Sequence, residues 1–268
     1  MSKFRIEGCS ALITGASAGI GREFARQLAD RATSLVLVAR RQERLEELRD
    51  ELTKQNPTLN VHIRATDLSD DRAVIELFDS LDGEKLSIDL LINNAGLGDV
   101  GPFATSELQR VKEMLAVNVT ALTLLMHLLL PGMIARKRGA ILNVSSTAGF
   151  LPIAGFAVYA ATKAYVTSFS EAIRAELHDT GVTVTSLCPG PVYTEFTEVA
   201  ARPGAKRDRT PEFVHVSAEE VAHTGLAAIE NDRPLVIPGF VMKVGMSLVR
   251  IMPLWILRLA SRLSAKRT

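Results

Sequence analysis

Short apolar runs rich in Val, Ile and Leu recur along the chain, at SALIT (10–14), SLVLVA (34–39), NVHIR (60–64), IDLLIN (88–93), GAILNVS (139–145) and VTVTSLC (182–188). Most of them lack alternating polar positions, the pattern of strands buried on both faces rather than wetted on one. The segments between them carry apolar residues at helical spacing instead, as in Phe24, Leu28 and Ala32, then Leu45, Leu48 and Leu52, then Val74, Leu77 and Leu81. Repeated strand-helix-strand order predicts parallel strands, because only a long crossover returns the chain to pair in the same direction. The predicted fold class is α/β: a doubly wound parallel sheet of about seven strands with helices on both faces, in three α/β/α layers. LVI (235–237) supplies the seventh strand.

Length sharpens this picture. The 268 residues sit near the upper size of one hydrophobic core, and no Pro/Ser-rich linker or internal repeat divides them, so residues 1–268 read as one domain. With 47% hydrophobic and 5% aromatic residues the composition is that of an ordinary globular chain, not a disordered one. The net charge of +1 conceals an asymmetry: Asp232 is the last acidic residue and seven basic residues follow it. Subtracting those seven from 31 leaves 24 basic against 30 acidic, or −6 over residues 1–232. An acidic body without basic clusters among aromatics argues against nucleic-acid binding. Two cysteines, Cys9 and Cys188, cannot form a multi-bridge framework and fit a reducing compartment. The opening MSKFRIEGCSALITG has no apolar signal core, so a cytoplasmic location is expected.

Open parallel sheets bind ligands beyond the carboxyl ends of their strands, and the unusual residues stand there. The first strand runs into TGASAGIG (14–21). Gly15, Gly19 and Gly21 permit close backbone approach. Ser17 and Ile20 lie among them at the start of a helix whose unpaired N–H groups attract a pyrophosphate. The spacing is G-x3-G-x-G, not the G-x-G-x-x-G of many dinucleotide sites, and alone it also describes a tight turn before a helix. The second strand ends in VARRQERLEEL, where Ala39, Arg40 and Arg41 stand in place of the Asp or Glu expected beside an NAD ribose. A guanidinium there pairs with a 2′-phosphate, which favours NADP(H); Arg40 is the better candidate, and Arg41 also reads as a solvated first-turn residue.

Asp67 and Leu68 follow the third strand, and Asp67 either accepts from an adenine amino group or caps the next helix with Ser69. NNAG (93–96) follows the fourth: Ala95 and Gly96 let a flat cofactor lie against backbone, while Asn93 and Asn94 tie adjacent strands together. In VYAATKAY (158–165), Tyr159 and Lys163 share a helix face four residues apart, whereas Tyr165 points about 120° away from Lys163. Such a lysine is either chemically employed or snorkelling from a core helix.

Taken together and in order, TGASAGIG, NNAG, a serine after the fifth strand and YAATK resemble the short-chain dehydrogenase/reductase family over roughly residues 7–195. The resemblance implies a Rossmann fold and a catalytic tetrad. Ser146, 13 residues before Tyr159, matches the family's serine in preference to Ser145; Asn118 in LAVNVT matches its asparagine, and Tyr159 and Lys163 its tyrosine and lysine. By the same resemblance Tyr159 is the general acid/base, Lys163 lowers its pKa from about 10 and bonds the nicotinamide ribose, and Ser146 donates to the substrate oxygen. Asn118 would hold a water linking Lys163 to solvent. CPGPVYTEF (188–196) resembles the family's PG motif, which sets Pro189, Gly190, Val192 and Thr194 beside the nicotinamide.

RPGAKRDRTPEF (202–213) has the composition of a mobile loop and by resemblance belongs to a substrate lid within 191–232; Ser217 and Glu220 form a capping box. The five histidines show no metal-ligand spacing, and this chemistry requires no metal. The extension 240–268 is apolar yet regularly interrupted by basic residues, and its longest uncharged run, IMPLWIL, falls far short of the ~20 residues of a membrane span. At ~100° per residue Lys243, Arg250, Arg258, Arg262 and Lys266 lie within about 160°, opposite Val241, Leu248, Met252 and Leu259, with Pro253 kinking or dividing the helix. Three readings compete for it: an interfacial membrane anchor, a cover over the cleft, and a subunit contact.

The expected activity is that of an NADPH-dependent carbonyl reductase, reversible as an alcohol dehydrogenase, acting on an apolar ketone or secondary alcohol, in a homodimer or homotetramer by resemblance. A 3-oxoacyl-carrier-protein or 3-oxoacyl-CoA reductase is the alternative, and Lys206, Arg207 and Arg209 would suit its acidic partner. A non-catalytic NADP sensor is the alternative of another class, and intact Ser146, Tyr159 and Lys163 count against it.

Overall fold

A computed structural model describes residues 4–202, 212–253 and 255–258. The apolar runs form the strands β1 (Ser10–Thr14), β2 (Ser34–Ala39), β3 (Asn60–Ala65), β4 (Leu90–Asn93), β5 (Gly139–Val144), β6 (Val182–Leu187) and β7 (Leu235–Val236). They make one sheet in the order β3-β2-β1-β4-β5-β6-β7, with every pairing parallel. Strands β2, β4 and β5 are buried at every position, as continuous apolar runs require. At the edge, β3 is half-buried and carries His62 and Arg64 between its apolar residues.

The helices are α1 (Gly19–Leu28), α2 (Gln42–Gln55), α3 (Asp71–Gly83), α4 (Leu108–Leu115), α5 (Leu122–Ala135), α6 (Ala157–Glu176), α7 (Glu195–Ala200), α8 (Ala218–Glu230) and α9 (Phe240–Ile251). On one sheet face α1, α2 and α8 bury Phe24, Leu28, Leu45, Leu48, Leu52 and Leu226. On the other, α3, α5 and α6 bury Val74, Leu77, Leu81, Leu125, Met126 and Val166. Strand order reverses between β1 and β4, so their outgoing loops part and open a crevice at the carboxyl edge.

Three local features bear on the crevice and the tail. Between α4 and α5 the helix passes through a π-helical turn, Ala116–Ala121, centred on buried Asn118. Helix α8 is capped by Ser217, which accepts from the Glu220 N–H, and Gly225 admits Phe24 of α1 against it. That packing places Ala218–Glu230 against α1 and the sheet. In the tail, Met252 is extended before Pro253 and a separate helical turn covers 255–258. Pro253 therefore divides the helix, and Arg258 does not continue the α9 register; Arg262 and Lys266 lie outside the described residues.

Candidate active site

Loops from the carboxyl ends of the strands line one cleft of about 1660 Å³. Its floor is the turn after β1, where Gly15 has φ +67° and a Cβ would stand 2.8 Å from Asn94 Nδ2. The Thr14 hydroxyl accepts from the backbone N–H groups of Asn94 and Ala95, and Asn94 Nδ2 donates back to the Thr14 carbonyl at 2.9 Å. Asn93 Nδ2 donates to Asn143 Oδ1 at 2.9 Å and ties β4 to β5. Both asparagines thus join neighbouring strands, as their sequence position indicated. No acidic residue stands in the first turn of α1 and its N-cap residue, Ala18, supplies no side-chain cap, so the helix opens at the cleft with N–H groups available to an anion.

Beyond β2, Arg40 and Arg41 line the cleft. Arg41 donates to Glu195 Oε2 at 3.0 Å and to Ser17 Oγ at 3.3 Å, while Arg44 holds Glu195 Oε1 at 2.5 Å. Glu195 opens α7, so this ion pair joins α7 to the β2 corner. Asp67 accepts from the Ser69 N–H and hydroxyl at 2.9 and 2.8 Å, a local Asx turn. The helix cap, one of the two roles open to it, belongs to Asp70, which accepts from the Arg72 N–H at 2.9 Å. Burial raises the Asp67 carboxyl, but the two Ser69 hydrogen bonds and the charge of Arg40 outweigh it and hold it below the usual range.

The reactive groups come from α6 and the turn after β5. A Cβ on Gly149 would stand 2.7 Å from the Lys163 carbonyl carbon, so only glycine lets that turn lie against α6. Ser145 faces the helix, donating to the Lys163 carbonyl at 2.8 Å and bonding Thr167 at 2.7 Å. Ser146 faces the cleft, accepting from the Ala148 N–H at 3.1 Å and donating to the Pro189 carbonyl at 3.4 Å. Tyr159 and Lys163 are 8% and 4% exposed, and the Lys163 amine stands 5.6 Å from the Tyr159 ring centre.

The electrostatics differ from expectation. The Lys163 amine donates to the Val144 carbonyl at 2.8 Å rather than to the phenol. Burial pushes the Tyr159 phenol up to about 12, with Ser146 pulling it partly back, and no depression by Lys163 results. Burial brings Lys163 itself down to about 8, against a pull upward from Cys188. Near neutral pH the phenol is thus a proton donor beside an amine that is still mostly protonated. Asn118 Oδ1 accepts from the Leu97 N–H at 2.8 Å, and its Nδ2 donates to the Leu97 carbonyl at 2.9 Å and to Thr162 Oγ1 at 3.0 Å. That side chain clamps the loop after β4 to α6. Of the expected site residues, Asn118 and Gly21 do not line the cleft; the others do.

The far end is apolar, and short motifs do not reveal it. Phe156 stacks on Tyr159 with ring centres 4.2 Å apart, and Phe196 of α7 tilts against it at 5.4 Å. Met242 and Met246 of α9 line the same end, and a Cβ on Gly190 would lie 3.0 Å from Met242. Arg202 is held by Asp99 through two contacts of 2.7 and 2.6 Å and also donates to Thr105 and Ser106. Phe156, one turn before Tyr159, was detectable by spacing; Phe196, Arg202 and the methionines reach the site only through tertiary packing. Lys206, Arg207 and Arg209 lie outside the described residues.

The family model described as short chain dehydrogenase matches residues 10–203. The chain belongs to that family. This short-chain dehydrogenase is 40% identical over 190 residues to the NADP-dependent 3-hydroxy acid dehydrogenase YdfG of Escherichia coli K12, covering 70% of this chain and 75% of that protein. It is 40% identical over 219 residues to sulfoacetaldehyde reductase 2 of Chromohalobacter salexigens, covering 79% and 84%. A solved short-chain dehydrogenase from Sphingobium yanoikuyae in complex with NADPH superposes with a TM-score of 0.80 at 30% identity, covering 91% of this chain and 96% of that one. The bulky-bulky ketone specific alcohol dehydrogenase of Comamonas testosteroni superposes at 0.76 with 28% identity, covering 91% and 95%. Membership makes the protein an oxidoreductase on a Rossmann fold and sets aside the non-catalytic sensor.

Proposed function

We propose that this short-chain dehydrogenase is an NADP(H)-dependent carbonyl reductase, reversible as an alcohol dehydrogenase, for apolar ketones and the matching secondary alcohols. The observation that carries the reading is the polarity of the cleft, cationic at the β2 corner and apolar at the α7/α9 end, with Ser146, Tyr159 and Lys163 between them. The residues fit NADP(H). The Gly15 turn and the free N–H groups of α1 suit a pyrophosphate, and Arg40 and Arg41 a 2′-phosphate. Asp67 and Leu68 would border the adenine, and Asn94, Ala95 and Gly96 the middle of the molecule. Pro189, Gly190, Val192 and Thr194 would border the nicotinamide.

When bound, the cofactor supplies or accepts the hydride at the carbonyl carbon. The chain's own residues manage the oxygen. Ser146 donates a hydrogen bond to it, and Tyr159, neutral at physiological pH, gives it a proton. The protonated Lys163 then attracts the phenolate left behind, in a site of low dielectric where such attraction is strong. Phe156 and Phe196 keep water from the phenol.

Two relatives are named for a hydroxy acid and a sulfo-aldehyde, and an anionic substrate calls for an unpaired cation. Arg202, the arginine that lines the apolar end among the described residues, is paired with Asp99, and Arg110 behind it is held by the Gly98 and Val199 carbonyls. That supports an uncharged substrate. NADPH consumption across a chain-length series of methyl ketones and the corresponding 3-oxo acids tests it: kcat/KM should rise with ketone length, and a preference for the acids overturns the reading. A reducing, cytoplasmic setting and self-association as a homodimer or homotetramer belong to the same proposal. Cys9 and Cys188 are both buried and free, and Leu115 and Tyr165 present apolar surface on the helices near Asn118 and Tyr159.

A further inference from the structure

Helix α9 has two apolar faces, and among the described residues only the inner one is packed against the protein. Met242 and Met246 face inward to the cleft. Phe240, Val241, Val244, Leu248 and Ile251 lie within about 100° of arc on the other side, and all are exposed, Phe240 and Ile251 at 81% and 80%. After Pro253, Trp255 is also exposed, at 65%. At a helix of 12 residues, about 18 Å, this element is too short to cross a bilayer. Contiguous exposed apolar surface of this kind marks an interaction site.

Charge decides the occupant. From Arg233 onward the chain carries seven basic residues and no acidic one, and Lys243 and Arg258 flank the apolar surface exposed to solvent. A second copy packed on this face about a two-fold axis would set these cations against their own images. An anionic bilayer offers the complement: headgroups for the cations, acyl chains for Phe240 and Ile251, and an interface in which a tryptophan settles. We propose that the outer face of α9, with Trp255, docks the protein on an anionic lipid surface. The inner face then walls a cleft opening at that surface, so an apolar ketone leaves the lipid past Met242 and Met246 to reach Tyr159. The cover and anchor readings of the tail are two sides of one helix. Docking stands on the surface alone; the use made of it rests on the reductase reading.

Truncation at Gly239 would strip Met242 and Met246 from the cleft, so the test uses outward-facing substitutions in the full chain. Trp255 is the protein's single tryptophan, and its fluorescence reports directly on the proposed contact. With vesicles of phosphatidylcholine mixed with phosphatidylglycerol, the emission should shift to the blue, acrylamide quenching should fall, and the protein should co-float. Phosphatidylcholine alone should retain about tenfold less protein. Phe240→Ser with Ile251→Ser should lose co-flotation about tenfold while keeping its sedimentation coefficient and its turnover of a water-soluble ketone. Unchanged Trp255 emission, or equal flotation of the double variant, overturns the proposal. A double variant that falls to a smaller oligomer without vesicles assigns the face to a second copy and also overturns it. Failure of the reductase reading would show separately, as absent ketone turnover by the unaltered chain that still floats.

Discussion

The two ends of the cleft are made in different ways. The cofactor end is built within a few residues of strand ends, where Thr14, Gly15 and Asn94 fix one another through backbone hydrogen bonds, and it offers N–H groups and guanidinium charge. The end proposed for the substrate is assembled from side chains of α6, α7 and α9, and the arginine that lines it, Arg202, is already paired with Asp99. Backbone geometry confines the first to few solutions, whereas the second is packing that a handful of substitutions can remake. Within one fold, the stretch proposed for the common cofactor is set by backbone geometry and the stretch proposed for the substrate by side chains.

Removing the junction between the ends should have the largest effect. Tyr159→Phe should lower turnover about a hundred- to ten-thousand-fold while NADPH binding, followed by cofactor fluorescence, stays within a few-fold. Binding lost together with turnover would mean that Tyr159 belongs to the cofactor end. Next in size, Arg40→Ala should weaken NADPH by roughly 1.5–3 kcal/mol, tenfold or more, and leave NADH nearly unchanged. Equal weakening of both would show that the β2 corner does not read the extra phosphate.

The pH profile probes the junction without mutation. Lys163 is lowered to about 8, so its charge is present below that pH and lost above it. Tyr159, pushed up to about 12, stays protonated throughout. The rate of ketone reduction should therefore be level near neutrality and fall with a one-proton slope through about pH 8, toward tenfold per unit. A profile that stays level to pH 9 would remove Lys163 from the mechanism. A comparable or smaller change is expected at the other end from Asp99→Asn, which frees Arg202. The ratio of kcat/KM for a 3-oxo acid to that for its ketone should rise by roughly tenfold. No change in that ratio would mean that Arg202 does not face the substrate.

The same division governs what could be read from the chain alone. The strands were legible because burial on both faces leaves unbroken apolar runs, and β1 and β2 begin and end where SALIT and SLVLVA do. The place of the motif residues at the strand ends was legible because it depends on short local patterns. Direction was not: the four-residue spacing of Tyr159 and Lys163 shows that they share a face, but not that the amine turns to the Val144 carbonyl. Burial of the phenol, which reverses the expected pKa shift, comes from Phe156 and Phe196 packing on it, the latter 37 positions away. The helix cap that was one of two roles open to Asp67 belongs to Asp70, because an Asx turn through Ser69 comes first. At the substrate end, Asp99 meets Arg202 across 103 positions, a pairing that no local pattern encodes.

The smallest predicted effect links the two ends. Glu195 is the first residue of α7, yet it lies between Arg41 and Arg44 at the β2 corner. Hydrogen bonds from Arg44 and then Arg41 hold its carboxyl below the usual range, so it is ionised at neutral pH beside the groups proposed for the 2′-phosphate. A like charge there opposes that phosphate and competes with it for Arg41, but the pairs are exposed and screened. Glu195→Gln should therefore tighten NADPH by only about two- to fivefold, leave NADH unchanged, and lose its effect as salt is raised, all measurable by cofactor titration at two ionic strengths. Weaker NADPH binding in the variant would mean that Glu195 serves to hold Arg41 and Arg44 in place. The cofactor end would then depend on α7 for its geometry, and its independence from the substrate end would fail at this residue.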